Sequence, residues 1–140
     1  MPTSLAQYQK LRISYASILA LALLFTLYEE LHLRRWLFHH LGLNSVVAGS
    51  LPNFLAVVVF SLTIVTLRLP GSSRGILRTV ISVVLGLTLY EVAQIWMPHR
   101  VFDWNDIAAT LLGGIFCWLL LLIPLKVFLN STDQRLIEHP

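Results

Sequence analysis

Four long runs of apolar residues, separated by short polar segments, dominate the pattern of this chain. They cover residues 13–33, 49–69, 76–97 and 107–129. Each is close to the roughly 20 residues that a helix needs to cross a bilayer. Backbone groups inside a bilayer must bond within their own segment, so each run predicts a helix. The pattern therefore predicts an all-α, polytopic membrane protein with four transmembrane helices.

The composition limits what else the chain can contain. It is 56% hydrophobic and 12% charged, with a mean hydropathy of +0.75. The connections, residues 34–48, 70–75 and 98–106, are short, and we expect residues 36–38 to lie in the membrane interface. A polar C-terminal tail, residues 130–140, is predicted to be frayed. We therefore predict a single four-helix transmembrane domain over residues 1–140, without a soluble domain.

Lysine and arginine predict the orientation of the chain. Cytoplasmic loops of membrane proteins carry an excess of these residues. One side would hold seven of them, namely Lys10, Arg12, Arg68, Arg74, Arg78, Lys126 and Arg135. The other side would hold Arg34, Arg35 and Arg100. We therefore expect both termini in the cytoplasm, and no nucleic-acid partner, because the basic residues flank the helices rather than forming a patch.

Residues that carry cofactor or covalent chemistry are few. Cys117 is the only cysteine, so no intramolecular disulfide is possible, and we interpret it as a small packing residue. No spacing of His and Cys resembles a zinc site. We expect no cofactor and no metal, and we favour a non-catalytic protein. The enzyme alternative would act on a membrane-bound substrate, with Glu91 and Asp106 as base and orienter.

The densest group of polar residues lies between the third and fourth runs. Glu91 and Gln94 are three residues apart and share a helix face. Asp103 is placed to cap the fourth helix, and Asp106 lies in its first turn. Arg100 leaves two interpretations open. It pairs with a carboxylate as a structural clasp, or it serves as the donor fork of a pocket for a head group, a phosphate or a peptide end.

A short repeat relates the first and third runs. Leu-Tyr-Glu-x-x-His at residues 27–32 recurs as Leu-Tyr-Glu-x-x-Gln at residues 89–94. Two duplicated helical hairpins would explain the repeat, with a chance match as the alternative. The duplication would place Glu29 and Glu91 side by side on the outer face, with His32 paired to Glu29. A proton relay through these three side chains is a further alternative, although nothing in the inner half of the bilayer continues it.

Small residues predict where helices approach closely. Ala109 and Gly113 form one small-xxx-small pair in the fourth run, and Ser82 and Gly86 form another in the third. Such pairs let two backbones come together in a membrane. We expect these two faces to bring the third and fourth helices into close contact.

The second half of the chain resembles the VanZ-like family of small bacterial membrane proteins. The residues that carry the resemblance are, in order, Glu91, Gln94, Pro98, Arg100, Phe102, Asp103, Asp106 and Gly113. The chain departs from the family pattern at Thr110, where an asparagine is usual. It departs again at residues 49–53, which lack an Asp-Lys pair. The resemblance implies an all-helical inner-membrane protein of the cell envelope, in a family whose namesake is linked to resistance to teicoplanin-type antibiotics.

Two functions follow from these residues. In the first, the outer polar cluster binds a lipid or cell-wall precursor head group. In the second, the protein is an accessory or scaffold subunit of a larger membrane complex, and the cluster is only a clasp. The partners would be membrane lipids or other membrane-protein subunits. The candidate binding residues are Glu91, Gln94, Arg100, Asp103, Asp106, Glu29 and His32.

Overall fold

Four helical segments form this protein, as the sequence predicts. A computed structural model describes residues 5–42, 45–98 and 102–138, and side chains as far as residue 129. Within these ranges there is no strand. Four segments are long and apolar enough to cross a membrane. We call them span 1 (Leu5–Leu41), span 2 (Val46–Arg68), span 3 (Ser73–Trp96) and span 4 (Trp104–Leu129).

Two of the spans contain a change of helical type. Span 1 consists of an α-helix (Leu5–Tyr28), a π-helical turn (Glu29–Leu33) and a second α-helix (Arg34–Leu41). Span 3 is an α-helix (Ser73–Ala93) that ends in a 3₁₀ turn (Gln94–Trp96). Span 2 is α-helical throughout, and span 4 belongs to an α-helix that runs from Trp104 to Glu138.

The predicted ends of the first and fourth helices need correction, because both helices continue into polar sequence. Residues 34–41 are helical, because no proline or glycine interrupts them. The helix stops only at Gly42, whose φ of +86° suits glycine. The polar tail is also helical as far as Glu138. The connection between spans 1 and 2 is therefore shorter than predicted.

Spans 2 and 4 form the centre of the bundle. Span 1 packs against both of them, and so does span 3. In the described residues, no Cα of span 1 lies within 8 Å of a Cα of span 3. Spans 1 and 3 therefore each pack on the central pair and not on each other. It also means that Glu29 and Glu91 belong to helices that do not contact each other, not to neighbouring helices as expected.

A continuous apolar core runs through the bundle. Its buried members come from all four spans: Leu11, Tyr15, Val58, Leu62, Val65, Ile76, Val80, Cys117, Leu121 and Leu125. The Tyr15 hydroxyl donates a 3.2 Å hydrogen bond to the Leu121 backbone oxygen. This bond ties span 1 to span 4.

Small residues of span 4 bring the helices together, whereas the small pair that the sequence indicated in span 3 does not. Gly113 packs against the backbone of Phe54 in span 2, and Gly114 packs against Val84 in span 3. Ser82 and Gly86 are exposed on the outer surface of span 3. Spans 3 and 4 are in close contact as predicted, through Gly114 and Val84. The prediction that Ser82 and Gly86 make this contact was wrong, because the pattern does not indicate which neighbour a small face meets.

Candidate functional site

Buried polar side chains concentrate at one end of the bundle. Among the described residues, the buried polar or charged ones are Glu29, Ser50, Ser61, Glu91, Gln94 and Thr110. Glu91 and Gln94 lie near the end of span 3, and Ser50 and Thr110 lie near the beginnings of spans 2 and 4. Glu29 lies at the π-helical turn of span 1. We call this end the polar end. A polar group at such a position is costly unless it is bonded, so five together call for an explanation.

The register of the helices places these side chains at similar depths. The contact of Gly113 with Phe54 defines a common level in spans 4 and 2. Thr110 lies three residues from this level and Ser50 lies four. At a rise of about 1.5 Å per residue, both are roughly 5 to 6 Å nearer the polar end.

The two glutamates lie slightly further out. Gly114 contacts Val84, and Glu91 follows Val84 by seven residues, or roughly 10 Å along the helix. In span 1, Glu29 follows Tyr15 by fourteen residues, and Tyr15 bonds to Leu121. Span 4 runs opposite to span 1, so Glu29 is level with the residue fourteen before Leu121, which is residue 107. Glu91 is level with the same residue, because it lies seven residues beyond Val84 and residue 107 lies seven before Gly114. These buried polar residues therefore lie within about 10 Å of one another in depth. We call the set the polar cluster: Glu29, Ser50, Glu91, Gln94 and Thr110.

Glu91 and Gln94 form the pair that their spacing predicts. The Gln94 side-chain amide donates a 2.7 Å hydrogen bond to a carboxylate oxygen of Glu91. The exposed fraction is 8% for Gln94 and 3% for Glu91. Gln94 begins the 3₁₀ turn that follows the α-helix of span 3. The pair therefore lies at the polar end of span 3 and is joined by a buried, charge-assisted hydrogen bond.

Glu29 is the most buried carboxylate in the described part of the chain. Its exposed fraction is 1%, and its Oε1 atom has no hydrogen-bond partner among the described residues. The adjacent Glu30 points outward, and a 3.1 Å ion pair joins it to Arg34. Two consecutive glutamates thus have opposite environments. Glu30 is satisfied at the surface, whereas Glu29 brings an acceptor without a donor into the polar cluster.

His32 does not join the polar cluster. Its ring is exposed and stacks on Tyr28, with 5.7 Å between the ring centroids. The π-helical turn begins at Glu29, and a π turn contains more residues than an α turn. Residues 29 and 32 therefore do not share a face as α-helical spacing predicts. The expected pairing of Glu29 with His32, and a proton relay through both, find no support in this geometry.

The two aspartates lie at the start of span 4. Asp103 is exposed and accepts hydrogen bonds from the Asn105 backbone at 2.9 Å and from the Asn105 side chain at 2.8 Å. It therefore caps the helix, as its position predicts. Asp106 is half-buried in the first turn. Arg100 lies outside the described residues. Its role as clasp or donor fork therefore stays a prediction.

Two members of the polar cluster were not among the predicted site residues. Ser50 and Thr110 are both buried, and the Thr110 hydroxyl donates to the Asp106 backbone oxygen at 2.8 Å. The sequence drew attention to Thr110 only as the position where the family has an asparagine. A single hydroxyl at the start of an apolar helix has no characteristic spacing, so neither residue was predicted as part of the site. In the described residues, no three His, Cys, Asp or Glu side chains are grouped to hold a metal ion.

The fold and the polar cluster together define the class to which this protein belongs. It is a four-span α-helical membrane protein with a buried, acceptor-rich polar cluster at one end. No model of a known family, no curated protein and no solved structure matches this chain.

Proposed function

We propose that this chain is a VanZ-like, non-catalytic protein of the bacterial cell envelope. In this proposal it lies in the inner membrane with both termini in the cytoplasm, so that the polar end faces outward. The polar cluster binds the head group of a lipid or of a cell-wall precursor. The order of Glu91, Gln94, Asp103 and Asp106 in the sequence supports the family, and the geometry of the polar cluster supports the binding function.

The observation that carries the proposal is the unpartnered oxygen of Glu29. A carboxylate oxygen that is buried without a donor costs free energy. Carboxylates inside membrane-spanning segments are generally rare and face a partner, a cavity or a pathway. A head group that brings a hydrogen-bond donor to Glu29 would remove this cost. Binding would then be driven by an interaction that the protein alone does not make.

The chemistry of the polar cluster indicates the kind of head group. Glu29 and Glu91 contribute carboxylate oxygens, which accept hydrogen bonds but do not donate them when ionised. A suitable ligand therefore carries hydroxyl, amide or ammonium donors. The sugars and peptides of cell-wall precursors have these groups, and so do amino phospholipids.

Access to the polar cluster requires local opening. Glu29 and Glu91 are almost fully covered in this structure. However, each lies where its helix departs from α-helical geometry, at the π turn of span 1 or next to the 3₁₀ turn of span 3. Such turns have poorer or wider hydrogen-bond geometry than an α-helix and are frequent at functional sites. We propose that the outer ends of spans 1 and 3 move away from the central pair, spans 2 and 4, to admit the head group.

The accessory-subunit alternative rests on the surface around the polar end. Trp36, Trp96 and Trp104 are all more than half exposed there. Tryptophan is enriched both at membrane interfaces and at protein contacts. Under this alternative the tryptophans contact another subunit, and the polar cluster only holds the helix ends together.

A comparison of Glu29 with Glu30 tests the proposal. Wild type, Glu29→Gln and Glu30→Gln would be purified gently from their own membrane and analysed by native mass spectrometry, with every bound lipid identified. Glu30 is a matched control because it is adjacent, equally charged and already paired. We expect one donor-bearing lipid to remain bound to wild type and to Glu30→Gln, and about tenfold less on Glu29→Gln, as expected for a lost charge-assisted hydrogen bond.

Two other results would contradict the proposal. Identical lipids on all three proteins would leave the polar cluster as a clasp. A single large assembly with stoichiometric protein subunits would favour the accessory-subunit function.

A further inference from the structure

A second polar feature lies at the opposite end of the bundle, which we call the basic end. Spans 1 and 3 begin there, and spans 2 and 4 leave the membrane there. A cleft of about 140 Å³ opens between spans 2 and 3. It is lined by Ile64, Arg68, Arg78, Thr79 and Ser82. Two arginines, one from each span, therefore line the same small cleft near the ends of these spans.

No acidic side chain in the described residues compensates these two charges. All five carboxylates whose side chains the structure describes lie at the polar end, namely Glu29, Glu30, Glu91, Asp103 and Asp106. The ion pair found among the described residues, between Arg34 and Glu30, is also at that end. Arg68 and Arg78 therefore bring two positive charges to one cleft, where a bound anion would interact favourably with both.

The hydroxyl groups of the cleft are already engaged by the backbone. Thr79 donates to the Gly75 oxygen at 3.2 Å, and Ser82 donates to the Arg78 oxygen at 2.9 Å. The available donors are thus the guanidinium groups of Arg68 and Arg78. Planar guanidinium forks bind phosphate oxygens in pairs, which is the geometry that a phosphodiester requires.

An apolar surface continues from the cleft toward the middle of the membrane. Phe60 lies one turn beyond Ile64 in span 2 and is more than half exposed. Gly86 lies one turn beyond Ser82 in span 3, and no described atom outside its own helix would be within 4 Å of a Cβ placed there. We call the exposed surface at Phe60 and Gly86, which lies one helical turn from the cleft in each span, the apolar track.

We infer that this cleft binds an anionic phospholipid. Arg68 and Arg78 hold the phosphate, and an acyl chain lies along the apolar track between Phe60 and Gly86. A basic pocket between helices at the membrane surface is a known mode of anionic lipid recognition. The apolar track favours a lipid over a free phosphate ion, because only a lipid would occupy both parts. This inference does not depend on the proposed function, since the two sites lie at opposite ends of the bundle.

Lipid titrations followed by native mass spectrometry test the inference. The full chain in detergent would be titrated with phosphatidylglycerol and, separately, with phosphatidylcholine. Removing both charges in Arg68→Gln/Arg78→Gln should weaken phosphatidylglycerol binding about 30-fold. Arg74→Gln is the matched control, because Arg74 lies at the same end of span 3 and does not line the cleft. It should change the affinity by less than about threefold.

Three results would overturn the inference. The first is equal affinity of wild type for the two lipids. The second is an equal loss in Arg74→Gln and in the double variant, which would indicate a diffuse electrostatic attraction. The third is displacement of phosphatidylglycerol by inorganic phosphate at equal concentration, which would indicate a free-anion site. If the double variant does not fold, Arg68→Gln and Arg78→Gln are measured singly, each with an expected loss of about fivefold.

The same titration separates this site from the proposed function. Glu30→Gln should bind phosphatidylglycerol as wild type does, because Glu30 lies at the polar end and is already paired with Arg34. A loss in that variant would overturn the assignment of the lipid to the arginine cleft.

Discussion

Gly113 of span 4 lies directly against the backbone of Phe54 in span 2. A Cβ placed on Gly113 would be 2.8 Å from the Phe54 carbonyl oxygen and 3.2 Å from its Cα. The contact joins the two central helices, and backbone atoms cannot move aside as a flexible side chain can. We therefore predict that Gly113→Ala lowers the free energy of unfolding in mixed micelles by about 1–3 kcal/mol, the usual cost of overpacking.

Gly86 is the control for this prediction. It is also a glycine within a span, but a Cβ at Gly86 would meet no described atom of another element within 4 Å. Gly86→Ala should leave stability unchanged or raise it by up to about 1 kcal/mol, because alanine has the higher helix propensity. Equal effects at Gly86 and Gly113 would show that span 4 does not approach span 2 as described.

Tyr15 provides a second test of the helix packing. Its side chain is fully buried, and its hydroxyl donates to the Leu121 oxygen across the interface between spans 1 and 4. Tyr15→Phe keeps the ring and removes only this bond, so we expect a loss of about 1 kcal/mol in unfolding free energy. Tyr8→Phe is the control, since Tyr8 is partly exposed and its ring contacts Phe128. A larger loss at Tyr8 than at Tyr15 would contradict the packing of span 1.

The Glu91 and Gln94 bond predicts energetic coupling between these residues. Their hydrogen bond is 2.7 Å long, buried and made to a carboxylate. A double-mutant cycle with Glu91→Gln and Gln94→Met should give a coupling free energy of about 1.5–3 kcal/mol, measured by unfolding in mixed micelles. Purely additive effects would mean that the two side chains do not interact.

Much of the fold could be predicted from the sequence, because a bilayer leaves the chain few options. Each apolar run had to become a helix, and the structure contains a helix at each one. The end of span 1 was missed for a physical reason. Arg34 and Arg35 end the apolar run, which marks where lipid contact stops, but a helix ends where its backbone geometry breaks, here at Gly42.

The candidate site was only partly predictable for a related reason. The Glu91 and Gln94 pair depends on local α-helical spacing, and the structure confirms it. The pairing of Glu29 with His32 assumed the same spacing, but a π turn intervenes and no residue pattern signals it. Thr110 joins the polar cluster through packing between helices, which a single sequence does not encode in its spacing.

The orientation of the chain in the membrane determines which compartment the polar end and the basic end face. Seven basic residues flank the basic end, including the tail, and three flank the polar end. The positive-inside tendency therefore predicts a cytoplasmic basic end. Gly71 is exposed in the turn between spans 2 and 3, where a side chain would meet no described atom within 4 Å. A Gly71→Cys thiol should resist an impermeant thiol reagent in intact cells and react after permeabilisation.

Leu41 serves as the opposite probe. It is 59% exposed at the polar end of span 1, so Leu41→Cys should react in intact cells. The native Cys117 is fully buried and should contribute little background to either variant. Reaction at Gly71→Cys together with protection at Leu41→Cys would reverse the orientation. The polar cluster would then face the cytoplasm, where a head group displayed on the outer surface could not reach it, and the proposed function would fail with it.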